Sequence, residues 1–250
     1  MIEKLKKIES KLASKFIFDY DMSKSTWFRA GGKAKAFIVV ENKHDLDVIL
    51  QSKGNIPIYV LGAGSNLLVR DNGFEGIIIK LGREFNKVEI IDDKIMVGAS
   101  ILDINLSNFA KKNKIIGFEF FSGIPGTIGG AIKMNAGCFG SQTSDLLQEV
   151  SIINSNNVIR NKNCNDLDMK YRSTNISDSD IITSAVFSLK YGNIDKIKKK
   201  INFIKDQRLS KQPIKEKTSG STFKNPQNYF AAKLIDQSDC KNLSFDDAIV

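Results

Sequence analysis

The chain has 250 residues, 42% hydrophobic and 26% charged, enough for one large folded domain or two to three smaller ones. Its formal charge of +9 comes from 31 Lys against 6 Arg spread along the chain, a pattern that an anionic small ligand accounts for as well as nucleic acid does. No apolar run approaches the roughly 18 residues needed to cross a bilayer, and the charged start MIEKLKKIESKLASKF lacks the apolar centre of a secretory leader, so a cytoplasmic chain without membrane insertion and without a nucleic-acid partner is expected.

Leu5, Ile8, Leu12 and Phe16 recur at helical spacing and predict an opening helix. KAKAFIVV reads as a strand, followed by a surface helix in NKHDLDVILQSKG that Gly54 ends. IPIYVLG and GIIIKL read as buried strands, and KVEIID pairs with KIMVGAS across the turn signal DDK. ILDINLSNFAKKN predicts a helix with Leu102, Leu106 and Phe109 on one side. EVSIINSNNVIR reads as a hairpin, DIITSAVFSLK as a strand, and YFAAKLIDQSDC as a short helix. Between the last two, Ile194, Ile197, Ile201 and Ile204 mark a long helix whose lysines cover its solvated face. Strands and helices mix without strict alternation, which predicts the α+β class.

The three cysteines, Cys138, Cys164 and Cys240, form no C-x-x-C pair, and the single histidine, His44, falls on the surface helix. No metal site or histidine-based triad is expected, and redox chemistry would need a borrowed cofactor.

Four stretches carry candidate chemistry. In VLGAGSNLLV, Gly62 and Gly64 permit a tight turn, and Ala63, Ser65 and Asn66 add amide donors that can cradle a phosphate; a plain turn is the alternative. The expected continuation is strand, turn and strand, not the helix of a dinucleotide fingerprint. In GIPGTIGGAIKMNAGCFG, Gly123, Ile124, Pro125 and Gly126 form a turn, and Thr127 can cap a short helix. Gly129 and Gly130 strip one face of that helix, which admits either a flat neutral ligand or close packing of another element, and Lys133 is the only charge in the stretch. Arg172, flanked by Tyr171 and Ser173, can hold an anion or sit in a surface ion pair. In KQPIKEKTSGSTFKNPQ, Ser219, Ser221 and Thr222 lie on a Gly-containing turn that either bonds to itself or presents a hydroxyl to a ligand.

Taken together, STWFRAGGKAKAFIV, LGAGSNLLVRDNGFEGIII, GFEFFSGIPGTIGGAIKMNAGCFG, YRST and GSTFKNP resemble the UDP-N-acetylenolpyruvoylglucosamine reductase family, its shorter type, from about residue 20 onward. The resemblance implies a vanillyl-alcohol-oxidase-type (PCMH-type) FAD-binding fold, with FAD subdomains at 1–78 and 79–192 and an incomplete substrate-binding domain at 193–250. It implies hydride transfer from NADPH, by way of FAD, to UDP-N-acetylglucosamine enolpyruvate, giving UDP-N-acetylmuramate for peptidoglycan and so serving cell shape and division. By the same resemblance, residues 62–66 bind the FAD pyrophosphate, and Gly123 to Thr127 with Gly129 and Gly130 form the flavin wall. Arg172 stabilises negative charge on the substrate, Ser221 donates a proton to carbon 2, and Lys211 and Asn225 contact the UDP-sugar. No residue matches the family's active-site glutamate, because the likeness ends at KNLSFDDAIV. A shortened C-terminal domain is therefore expected, with FAD binding preserved better than sugar reduction.

Overall fold

Alternation in KAKAFIVV turns Lys33 and Lys35 outward and buries Ala36, Ile38 and Val40 completely on one face of a strand. Phe37 buries the other face with Met22, Leu61 and Ile78, so this strand lies inside a sheet covered on both sides. The computed structural model describes residues 2–213, 216–218 and 220–250; Ser219 lies outside the described residues. Two compact units divide the chain, Met1–Ser219 and Gly220–Val250.

The first unit opens with α1 (Ile2–Glu9), then β1 (Lys15–Asp21), β2 (Lys33–Val40), α2 (Lys43–Ser52), β3 (Ile58–Val60) and β4 (Phe74–Leu81). These strands form a sheet in the order β1-β2-β4-β3, antiparallel between β1 and β2 and parallel elsewhere. The opening helix stops at Glu9, short of the expected Phe16, which instead sits buried on β1. Tertiary bonding overrides the helical period there. The Asp45 carboxylate, itself buried, accepts from the Ser14 amide at 2.7 Å and the Ser14 hydroxyl at 2.6 Å, and β1 pairs with β2 from Lys15 on. Residues 67–70 are not the expected strand: Arg70 O accepts from Gly32 N and, within a turn, from Gly73 N, and among the described residues no ladder continues from there.

The second sheet has the order β10-β9-β11-β6-β5, antiparallel throughout. It begins with β5 (Val88–Ile91) and β6 (Lys94–Gly98), the hairpin read from DDK. The chain then makes α3 (Asp103–Lys112), a 3-10 helix (Glu119–Gly123), α4 (Ile128–Lys133) and the short hairpin β7 (Gly137–Cys138) and β8 (Ser141–Gln142). It returns to the sheet with β9 (Leu147–Ile153), β10 (Ile159–Asn163) and β11 (Ile181–Ser188). Phe118, Phe120, Phe121 and Phe187 are fully buried behind this sheet, with the Phe120 and Phe121 rings stacked at 4.1 Å.

The long lysine helix, α5 (Ile194–Lys211), buries Ile197 and Ile204 against the 3-10 helix, where Lys200 Nζ also lies 3.6 Å from the buried Glu119 carboxylate. α5 belongs to the first compact unit. The second unit contains α6 (Ala231–Gln237) and a hairpin of β12 (Ser244–Phe245) and β13 (Ala248–Ile249), and none of its side chains is buried.

Removing the Asp45 carboxylate leaves two donors of Ser14 unsatisfied in the interior. Asp45→Ala is expected to lose about 1–3 kcal/mol of stability, read as a lower urea midpoint at unchanged slope; a midpoint equal to wild type would refute that role.

Candidate functional site

The segment Gly126–Gly129 is stitched to Ala99–Asp103 like one rung of a sheet. Asp103 N donates to Gly126 O at 3.1 Å, Ile128 N to Ile101 O at 2.9 Å and Gly129 N to Ala99 O at 2.9 Å. This fixes where α4 begins, and the Thr127 hydroxyl caps it by accepting from Gly130 N at 3.5 Å, as read from sequence. Against that cap comes the turn after β3. A Cβ at Gly62 would lie only 2.5 Å from Thr127 Oγ1, so no other residue lets this turn approach so closely.

Between them opens a cavity of about 180 Å³, lined by Gly62, Ala63, Thr127, Gly129 and Gly130 among the residues singled out from sequence. Tyr59, Leu61, Leu81, Ala99, Leu102 and Ile182 make most of its wall apolar, and Lys80, Lys133, Ser177, Asp178 and Asp180 bring charge and hydroxyls to it. Leu102, expected on the buried side of α3, precedes the helix and lines this cavity instead, 42% exposed.

The two helical glycines differ. A Cβ on Gly129 would press on Ala99 at 3.1–3.2 Å, whereas one on Gly130 would meet only Thr127 Oγ1 at 3.6 Å, an ordinary contact. Gly129 therefore serves packing, while packing within the chain gives no reason for glycine at Gly130, whose bare face borders the cavity. Gly123 and Gly126 are also confined from inside, by Cys138 Sγ and Ile204 at 2.9 Å and by Asp103 Oδ2 at 2.6 Å. Neither they nor the half-exposed Ile124 and Pro125 line the cavity.

In the turn after β3, Gly64 holds φ +70° and fits against Ser25 O, where a Cβ would come to 2.0 Å. Among the described residues, none of the five amides of residues 62–66 donates to a backbone or side-chain acceptor. Backbone N–H groups left without an acceptor are available to an anion. The cavity thus joins an apolar slot and a bare helix face, and of the turn with unspent donors Gly62 and Ala63 reach its wall, while Gly64, Ser65 and Asn66 do not line it.

Arg172 stands at the tip of a two-residue turn closed by reciprocal bonds between Lys170 and Ser173, and it holds φ +57°. Its guanidinium donates to Asn135 O at 3.3 Å and Gly137 O at 2.8 Å, and it lies 4.9 Å from the Tyr171 ring. This brings Arg172 to the end of the glycine-rich stretch, beside β7. Lys211 is exposed at the end of α5. Ser221 and Asn225 belong to the second unit, where Ser221 is exposed and Asn225 Oδ1 accepts from Ala231 N at 3.0 Å.

Sequence reasoning passed over Asp103. It is fully buried, and neither its carboxylate oxygens nor the hydroxyl of Ser107, one turn on, has a hydrogen-bond partner among the described residues. Burial pushes its pKa well above the usual carboxylate range. Burial likewise raises the Cys138 thiol to about 11, against the nearby positive charges of Arg208 and Arg172, which leaves it protonated and unreactive near neutrality. Among the described residues no cluster of His, Cys, Asp and Glu could hold a metal ion, and no helix is long and apolar enough to cross a membrane.

Residues 34–161 match the FAD binding domain family, and residues 212–250 match the family described as UDP-N-acetylenolpyruvoylglucosamine reductase, C-terminal domain. Proteins named UDP-N-acetylenolpyruvoylglucosamine reductase from Rickettsia conorii and Rickettsia prowazekii are each 43% identical over 222 residues, covering 88% of this chain and 75% of theirs. A crystal structure of UDP-N-acetylenolpyruvylglucosamine reductase from Thermus caldophilus superposes with a TM-score of 0.83 at 30% identity, covering 96% of this chain and 85% of that one. The BBE-like 1 protein of Physcomitrella patens shares the fold, with a TM-score of 0.57 at 16% identity over 75% of this chain and 44% of its own. The fold is the PCMH-type FAD-binding fold.

Gly130→Ala is expected to raise stability without ligand by up to about 1 kcal/mol, because glycine costs that much in a helix and the new methyl has room. Gly129→Ala should lower it, since Ala99 is already in the way; thermal melts of the two apo-proteins should move in opposite directions, and a shared sign would remove the distinction. Asp103 gives a pH test. The unfolded state releases this proton near the ordinary value of 3.8 while the folded state keeps it, so stability falls as pH rises from there toward the raised folded value. The melting temperature of Asp103→Asn minus that of wild type should therefore grow between pH 4 and pH 8, and a flat difference would show that Asp103 ionises normally.

Proposed function

The chain belongs to the UDP-N-acetylenolpyruvoylglucosamine reductase family of FAD-dependent oxidoreductases, and on that footing we propose that it uses NADPH to reduce UDP-N-acetylglucosamine enolpyruvate to UDP-N-acetylmuramate. The setting is the cytoplasm and the purpose peptidoglycan synthesis, on which cell shape and division depend. The observation that carries the reading is the cavity built largely from residues of the FAD binding domain match: Gly130 is bare there without a packing reason, and the turn of unspent amides reaches its wall at Gly62 and Ala63.

On this reading the first sheet and the second are the two flavin-gripping subdomains, expected at 1–78 and 79–192. Residues 62–66 hold the pyrophosphate through backbone donors, and the bare face of Gly130 lets the cofactor lie close to α4. Gly123 to Gly126 do not line the cavity, and on this reading the half-exposed Ile124 and Pro125 extend the flavin wall beyond it, their flanking glycines being spent on inward packing. When bound, FAD supplies the hydride relay from NADPH to the enolpyruvyl carbon.

Arg172 has five N–H donors, of which two are engaged by Asn135 O and Gly137 O. The remainder are free to meet negative charge that develops on the substrate carboxylate during hydride addition, in an orientation fixed beforehand. Ser221 donates the proton to carbon 2; serine is a weak acid, so its surroundings must stabilise or quickly reprotonate the alkoxide. Lys211 and Asn225 contact the UDP-sugar.

An anaerobic flavin absorbance trace tests this directly. NADPH should bleach the flavin band, and the enolpyruvyl substrate should restore it. Bleaching without recovery would favour the second reading, a chain that binds FAD but does not reduce the sugar nucleotide. Arg172→Ala should leave bleaching intact and slow recovery by about 10²–10³-fold; equal recovery rates would take the arginine out of the reaction.

A further inference from the structure

Three sides of the cavity come from regular elements or their immediate flanks: the end of β3 with β4, the segment after β6, and α4. The remaining side is a turn, residues 177–180, reached from the buried Ile176. Its bonds are largely its own, Asp180 N to Ser177 O at 3.2 Å and the Ser177 and Ser179 hydroxyls at 3.0 Å. Among the described residues, Lys133 is the one side chain from elsewhere that bonds to residues 176–180. Its ammonium donates to Ile176 O and lies 2.8 Å from Asp178 Oδ1, while its own carbonyl accepts from Thr174 Oγ1 at 3.0 Å.

Lys133 is also the last residue of α4, the helix whose bare glycine borders the cavity. One side chain therefore ties the helical floor of the cavity to the turn 177–180 in its wall. Asp178 is 85% exposed, so the pair alone stabilises the fold little and can open at small cost. That combination suits a fastening that must part for a large ligand to enter and close once it is in.

We propose that Lys133 is a positioning residue for the cofactor, whose ion pair with Asp178 straps the turn 177–180 across the cavity and slows release of the bound dinucleotide. The proposal rests on the FAD reading of this cavity. It assigns Lys133 no contact with the reacting atoms: its effect is on how long FAD stays, not on hydride transfer.

The test is FAD release from the holoprotein, followed as the rise in flavin fluorescence after large dilution into flavin-free buffer, which prevents rebinding. Lys133→Met should speed release about tenfold, as loss of a retaining contact acts mainly on the off-rate. Asp178→Asn should do the same, the double variant should be no faster than either single one, and Lys133→Arg should restore slow release. Asp178 is exposed, so its variant carries the test if Lys133→Met disturbs the apo-protein melt. Unchanged release in both single variants would overturn the proposal while leaving FAD binding intact. Additive effects in the double variant would also overturn it, by showing that the lysine acts on the ligand and not through Asp178. Wild-type protein that neither retains nor rebinds flavin would overturn the cofactor reading itself, and the strap with it.

Discussion

The placement of Thr127 is the constraint on which the cavity depends. Its backbone is bridged to Leu102, its hydroxyl caps α4, and the same hydroxyl is the surface on which the turn after β3 comes to rest at Gly62. One residue thus sets the start of the helix, the height of the turn after β3 and the separation between them. A bulkier residue at either contact would push the turn from the first sheet away from the helix. A change of register between Ala99–Asp103 and Gly126–Gly129 would rotate Gly130 off the cavity. The large buried set of the second sheet, Phe118, Phe120, Phe121 and Phe187, keeps that register because it anchors the chain just before the glycine-rich stretch.

The glycines divide by what a side chain at each would meet, and this separates packing from ligand space better than composition can. Cys138, Ile204 and Asp103 border Gly123 and Gly126 closer than a Cβ tolerates, and Ala99 borders Gly129 tightly enough that it would have to give way. Gly64 is fixed by its positive φ and by Ser25. Gly130 alone of the glycine-rich helix faces room, and glycine there costs helix stability that the fold gains nothing from. A cost retained at the mouth of an apolar cavity is the local departure from fold logic that a binding site produces.

Much of the fold was legible in the sequence because period and burial agree in its longer elements. KAKAFIVV, the DDK hairpin and the isoleucine stripe of α5 came out as read, since their apolar faces are the faces that the core needs. The failures lie where tertiary bonds outvote the local period. Phe16 continued a helical pattern but was drawn into β1 by pairing with Ile38. Within the candidate site, the turn at residues 62–66 and the cap at Thr127 were readable from glycine spacing and a hydroxyl before a helix. Asp103 and Lys133 were not. The first looks like any acid in a first helical turn, and the second like any lysine ending one; only the fold shows that one is sealed from water and the other reaches across to residues 43–45 positions away.

The two cations near this stretch are held in opposite ways, and the difference bears on what each can do. Lys133 is paired with a carboxylate, so most of its field is spent locally and its value lies in the connection it makes. Arg172 is held by two carbonyl oxygens, and among the described residues no carboxylate lies within ion-pair distance of it. Carbonyls orient a guanidinium without neutralising it, so its charge remains available to an anion that arrives later.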